Sequence, residues 1–71
     1  MTTQTIETLP YTLNVIYKTD TGTDVETFTY KTELSALKVA REELKWENTI
    51  HATITHEPTG KDIFDEKGDF F

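Results

Sequence analysis

The chain has 71 residues, a formal net charge of −6 and no cysteine. A chain of this length has room for one small domain with a single core layer, so a deep substrate cleft is not expected. The lack of cysteine excludes disulfides and thiolate metal sites. The negative charge disfavours binding to nucleic acid or to anionic membranes, because phosphate groups repel it.

The hydropathy of the chain and the composition of its first residues predict its cellular location. No apolar run approaches the roughly 20 residues that span a bilayer. The first eight residues, MTTQTIET, lack the basic and apolar regions of a signal peptide. We therefore expect a cytoplasmic protein with a flexible threonine-rich arm at 1–9, one domain at 10–66 and a tail at 67–71.

Two alternating stretches open the domain. In Tyr11–Lys18 and in Val25–Lys31, large apolar residues alternate with polar ones, as in strands with one buried face. The connection Thr21-Gly22 predicts a tight hairpin, since glycine accepts a positive φ. A two-residue loop at this point pairs Val15 with Phe28, which places large apolar residues on one face and threonines on the other.

The next segment, Thr32–Glu47, is the strongest helical signal in the chain. Thr32 is a good N-cap, because its hydroxyl can accept a hydrogen bond from a free amide of the first turn. Trp46 lies off the main apolar stripe, just before the predicted helix end at Asn48, so it either covers the edge of the core or anchors a partner. The stripe predicted to pack on the sheet consists of Leu34, Ala36, Leu37, Ala40 and Leu44.

Two further strands follow the helix. Ile50–Glu57 alternates like the first pair, and Glu57-Pro58-Thr59-Gly60 has the residues of a type I turn. Lys61–Asp65 is short and acidic, as edge strands often are. Ile63 is expected to face the core, unless a bulge at Gly60 turns Phe64 inward instead.

These elements predict an α+β domain of ββαββ order. The strands form one four-stranded antiparallel sheet in the order 2-1-3-4, with the helix packed on one face. Short connections favour this order, because the competing order 1-2-3-4 requires a parallel contact between strands two and three. The second face of the sheet is rich in threonine and is either solvated or covered by a partner.

The titratable residues do not predict a catalytic or metal site. His51 and His56 are five residues apart in one strand, so they point to opposite faces and cannot share a metal ion. Strand alternation likewise separates Asp62 from Asp65, and their spacing does not match a calcium loop. Ser35, the only serine, has no histidine nearby in sequence. We expect no enzyme activity, no cofactor and no metal.

Acidic residues are concentrated from the middle of the helix to the C-terminus. Such a surface is typical of a protein that binds a partner with a basic surface, where complementary charge speeds encounter. Charges at the rim contribute little affinity, so an aromatic anchor is also required. The predicted partner-binding residues are Glu42, Glu43, Trp46, Glu47, Asp62, Asp65, Glu66, Phe70 and Phe71.

In length, charge and ββαββ order, the chain resembles the small acidic proteins that phages and mobile elements encode against host defence, including some anti-CRISPR proteins. The resemblance implies a non-catalytic inhibitor that occupies a basic, nucleic-acid-binding site on its partner; it assigns no functional residue. The alternative is a structural domain that forms a homodimer through its open sheet face or an edge strand. A small-ligand or metal site ranks third.

Overall fold

The computed structural model describes residues 9–68, which form five elements. They are β1 (Tyr11–Thr19), β2 (Gly22–Tyr30), α1 (Glu33–Glu43), β3 (Thr49–His56) and β4 (Lys61–Lys67). The strands form one antiparallel sheet in the order β2-β1-β3-β4, and the helix packs on one face of it. The predicted fold class and strand order are confirmed. Most of the predicted arm and tail lies outside the described residues.

The β1–β2 hairpin has a different register from the predicted one. Val15 lies opposite Glu26 instead of Phe28, because the loop is Asp20-Thr21 and Gly22 already belongs to β2. Gly22 has a φ of +150°, so the chain uses the conformational freedom of glycine just after the turn rather than within it. A shift by two residues keeps every side chain on its face. The shift therefore preserves the apolar face but brings Glu26 next to Val15.

The helix begins at its predicted cap and ends earlier than predicted. The Thr32 hydroxyl accepts a hydrogen bond from the Ser35 amide at 3.2 Å. After Glu43, the amides of Lys45 and Trp46 donate to carbonyls three residues earlier in the chain, at 3.2 and 3.1 Å. This tighter pattern ends the α-helix. Trp46 thus lies in the turn that leads to β3, not on the helix.

The core lies between the helix and the two central strands. The helix rests on Ala36 and Ala40, whose small side chains allow it to approach the sheet closely. Leu34 was predicted to pack here but is 77% exposed, because it lies about 200° around the helix from Ala36. Leu37 is half-buried at the edge of the core. The buried apolar residues are Leu13, Val15, Ala36, Ala40, Leu44, Ala52 and Ile54.

A bulge in β4 decides which of its apolar residues faces the core. The pairing with β3 shifts by one residue at Ile63, so Phe64 lies opposite Ile54 and packs against the core. Ile63 is 38% exposed, and its predicted inward position is wrong. The alternative with Phe64 inward is confirmed, although the extra residue is Ile63 itself and not Gly60.

Candidate protein-binding site

The structure distributes the predicted partner-binding residues over several surfaces. Asp62 and Asp65 lie on the face of the sheet opposite the helix. The Thr55 hydroxyl donates a hydrogen bond to Asp62 at 2.8 Å, and His51 Nε2 contacts the Asp65 carboxylate. Simple alternation predicted that the two aspartates point to opposite faces. The prediction was wrong, because the extra residue Ile63 lies between them and restores both to the same face.

A second surface lies between the helix and β4, and it is not acidic. Glu66 borders a groove of 460 Å³ together with Arg41 and Lys45, above an apolar floor of Leu44 and Phe64. Two cations beside one carboxylate leave this groove with a net positive charge. It therefore does not extend the predicted acidic surface.

The outer face of the helix has a similar composition. Glu42 lies there with three basic residues, Lys38, Arg41 and Lys45. The three cations outnumber the single carboxylate, so Glu42 does not form an acidic surface either. Glu47, in the turn after the helix, is exposed. Phe70 and Phe71 lie outside the described residues.

The fourth surface is a pocket at the end of the sheet, beside the C-terminal end of α1. We call it the acidic pocket. It has a volume of 360 Å³ and is open to solvent on one side. Three parts of the fold build it: the ends of β1 and β2 that meet at the hairpin, the last turn of the helix, and the connection from α1 to β3. The lining residues are Tyr17, Glu26, Glu43, Trp46, Asn48 and Thr49, and none of them is basic.

Two backbone hydrogen bonds fix the position of Trp46 beside this pocket. Its amide donates to the Glu43 carbonyl at 3.1 Å, and its carbonyl accepts from the Thr49 amide at 3.1 Å. Thr49 is buried, with 2% of its surface exposed, so the turn is fixed to the core. The Trp46 side chain is nevertheless 62% exposed. The backbone of Trp46 is thus fixed, while its indole is exposed and can contact a partner.

The β1–β3 pairing also contributes to the shape of the pocket. Ile16 lies opposite His51, but Tyr17 lies opposite Thr49, so Ile50 is an extra residue in β3. This bulge places Thr49 in register with Tyr17, and both residues line the pocket. A bulge also increases the local twist of the strands.

The electrostatic field of the pocket is negative. Partial burial raises the pKa of Tyr17, and the charges of Asp24 and Glu26 raise it further. Burial also raises the pKa of Tyr30, with a further contribution from Glu43. In both tyrosines, nearby carboxylates disfavour the phenolate. The C-terminal end of α1, where the helix dipole is negative, lies beside the same pocket.

The sequence-based set of partner-binding residues includes Glu43 and Trp46, which both line this pocket, but it does not include Tyr17, Asp24 or Glu26. Tyr17 was assigned to the core because it continues the apolar row of β1. A usable signal was present in β2, where Asp24 and Glu26 occupy the row that faces the helix. Acids on that row require solvent, so they indicate a place that the helix does not cover.

No protein-family model, curated protein or solved structure matches this chain. Within residues 9–68, no group of three or more histidine, aspartate or glutamate side chains is arranged to hold a metal ion. In the same range, the helix is too short and too polar to cross a membrane.

Proposed function

We propose that this protein is a small non-catalytic module that binds a basic surface of a partner protein through its acidic pocket. The observation that carries the proposal is the exposed Trp46 indole, flanked by the carboxylates of Glu26 and Glu43. Tryptophan is enriched among the residues that dominate interface energies. Carboxylates around it favour a cationic partner and accelerate association.

In this proposal the binding surface is smaller than the full set of acidic residues. Glu43 and Trp46 remain at its centre, with exposed Glu47 following Trp46 in the same turn. Asp24 and Glu26 of β2 join them. Asp62 and Asp65 lie on the opposite face of the sheet, so one partner site cannot contact these aspartates and the acidic pocket at the same time.

A negative module of this kind acts as an inhibitor when the basic surface normally holds nucleic acid. Sites for phosphate backbones are rich in lysine and arginine, and a protein with a net charge of −6 competes for them. This is the mode of action implied by the resemblance to phage-encoded anti-defence proteins. In this proposal the protein acts in the cytoplasm, as a monomer or a homodimer.

A quantitative pull-down tests the proposal. Immobilised protein is incubated with lysate of the native host, and the retained proteins are compared between the wild type and Trp46→Ala. A partner that uses the acidic pocket should bind Trp46→Ala at least about 30-fold more weakly, as expected for a hot-spot residue. Duplex DNA or RNA added in excess should displace the partner from the immobilised protein.

The matched control is Glu57→Lys, which changes the charge as Glu43→Lys does but lies in the turn at the opposite end of the sheet. Glu43→Lys should abolish retention of the partner, whereas Glu57→Lys should retain it. If neither Trp46→Ala nor Glu43→Lys reduces the amount of partner retained, the acidic pocket is not the binding site and the proposal is wrong.

A second candidate function, self-association, is favoured by one observation on β2. This edge strand has nine residues, no proline, lysine or arginine, and an uninterrupted register with β1. The other edge strand, β4, carries a bulge and has Lys61 and Lys67 at its ends, which are common protections against edge pairing. Sedimentation equilibrium at millimolar concentration tests this candidate, since a strict monomer would contradict it.

A further inference from the structure

We infer that the acidic pocket receives the side chain of a single arginine from the partner protein. The inference rests on the proposed function, because it names the chemical group that the partner inserts. It is carried by three properties of the pocket: its size, the position of its two carboxylates, and its two aromatic rings.

The pocket is large enough to receive a long side chain. Its volume of 360 Å³ lies within the range of roughly 300–1,000 Å³ that is typical of small-ligand sites. It is open toward solvent, so a side chain projecting from a protein surface can enter without any rearrangement of the fold.

The charged groups lie on different walls. Glu26 comes from the edge strand β2, and Glu43 comes from the last turn of α1. No lysine or arginine lines the pocket, so neither carboxylate has a cationic partner among the lining residues. A cation that enters therefore meets two uncompensated negative charges, together with the partial negative charge of the helix end.

The aromatic groups discriminate among cations. Tyr17 and Trp46 both line the pocket, with Tyr17 partly buried and Trp46 exposed. A guanidinium group is planar, weakly hydrated and able to stack on an aromatic face while its N–H groups donate to carboxylates. A lysine ammonium is compact and strongly hydrated, so it gains less from the rings. The combination of flat rings and separated carboxylates matches arginine better than lysine.

The electrostatics of Tyr17 agree with this geometry. Burial raises the pKa of this phenol, and the charges of Asp24 and Glu26 raise it further. A cation bound beside these carboxylates would offset their effect, so binding should lower the pKa of Tyr17.

A titration with defined peptides tests the inference. The probes are three capped tripeptides, acetyl-Gly-X-Gly-amide, in which X is arginine, lysine or citrulline. Citrulline has nearly the shape of arginine but no charge. Trp46 is the only tryptophan, so its fluorescence and its indole N–H resonance report on the pocket alone. We expect saturable changes with the arginine peptide, at least about three-fold weaker binding of the lysine peptide, and no saturable binding of the citrulline peptide.

Two conservative variants and one control locate the site. Glu26→Gln and Glu43→Gln each remove one charge with little change of shape, and each should weaken binding of the arginine peptide about two- to five-fold. Glu57→Gln removes the same charge at the far end of the sheet and should leave binding unchanged. Circular dichroism of each variant verifies the fold. An equal loss in all three variants, or an equal response to citrulline, would overturn the inference.

The outcomes for the inference and for the proposed function can be told apart. If a partner depends on Trp46 but the arginine peptide neither alters the tryptophan signals nor displaces that partner, the arginine inference is wrong and the proposed function stands. If the peptide binds as expected but no retained protein depends on Trp46, the proposed function is wrong and the specificity of the pocket for arginine stands.

Discussion

Replacing Gly68 with alanine would place a methyl group against the backbone of β3. Gly68 directly follows β4 and is buried, and its amide donates to the Ile50 carbonyl at 2.7 Å. A Cβ atom at this position would lie 2.1 Å from the carbonyl oxygen of Thr49 and 3.0 Å from its carbonyl carbon. Non-bonded heavy atoms prefer separations of about 3.5 Å or more. The end of β4 must therefore move away from β3 by more than about 1 Å.

The cost follows from what this movement breaks. Overpacking against a fixed backbone costs about 1–3 kcal/mol. Loss of the hydrogen bond from Gly68 to Ile50 adds about 1 kcal/mol. The free energy of unfolding should therefore fall by about 2–4 kcal/mol, a large part of the roughly 4–11 kcal/mol expected for a domain of this size. At about 4–8 °C per kcal/mol, the Tm should fall by roughly 10–30 °C.

Urea and thermal unfolding followed by far-ultraviolet circular dichroism measure this change. The control is Lys67→Ala, which truncates the exposed neighbouring side chain and should alter the free energy of unfolding by no more than about 0.5 kcal/mol. If Gly68→Ala were as stable as Lys67→Ala, the chain after β4 would not run as close to β3 as the structure shows, and the reasoning would fail.

Three further predictions concern the helix, the tyrosines and nucleic acid. Leu37→Asp should destabilise the fold by about 1–3 kcal/mol more than Leu34→Asp, because Leu37 packs at the core edge and Leu34 is exposed; urea unfolding compares the two. Burial and the charge of Asp24 raise the pKa of Tyr17 in the folded protein above the ordinary value of 10.0. The neutral phenol therefore contributes fully to the free energy of unfolding below pH 10, and this contribution is lost as the pH rises through the higher folded-state pKa. Asp24→Asn should reduce this alkaline loss in urea unfolding at pH 9 to 12, and an identical pH dependence would contradict the assignment. The wild-type protein should bind neither DNA nor RNA at physiological salt, and a salt-sensitive gel shift would show otherwise.

The fold was predictable because its signals are local and agree with one another. Alternation in β1 and β2 assigns their faces, and the Thr32 cap marks the start of the helix. The strand order then follows from short connections alone. None of these inferences depends on the exact pairing of residues, so a two-residue error in the hairpin register did not disturb them.

The candidate site was harder to predict because it depends on details that alternation does not encode. One extra residue at Ile63 moves Asp65 to the same face as Asp62, and no local pattern marks that position. The helix ends at Glu43 although Leu44 continues its apolar stripe, so Trp46 lies in the following turn, where it lines the acidic pocket. The observed hairpin register places Asp24, not Glu26, opposite Tyr17, so the carboxylates around this phenol could not be assigned before the pairing was known. Each of these features follows from tertiary packing rather than from propensity.

The strand order also places the buried apolar residues of the sheet in two different hairpins. β1 and β3 are adjacent, and both carry the buried residues of the sheet, whereas their hairpin partners β2 and β4 form the outer edges. Neither hairpin possesses a complete core, and isolated two-stranded hairpins are at best marginally stable in water. The domain should therefore fold in one cooperative step. In hydrogen exchange, amides between β1 and β3 should exchange only through global unfolding, while the free edge of β2, beside the acidic pocket, should exchange through local fraying.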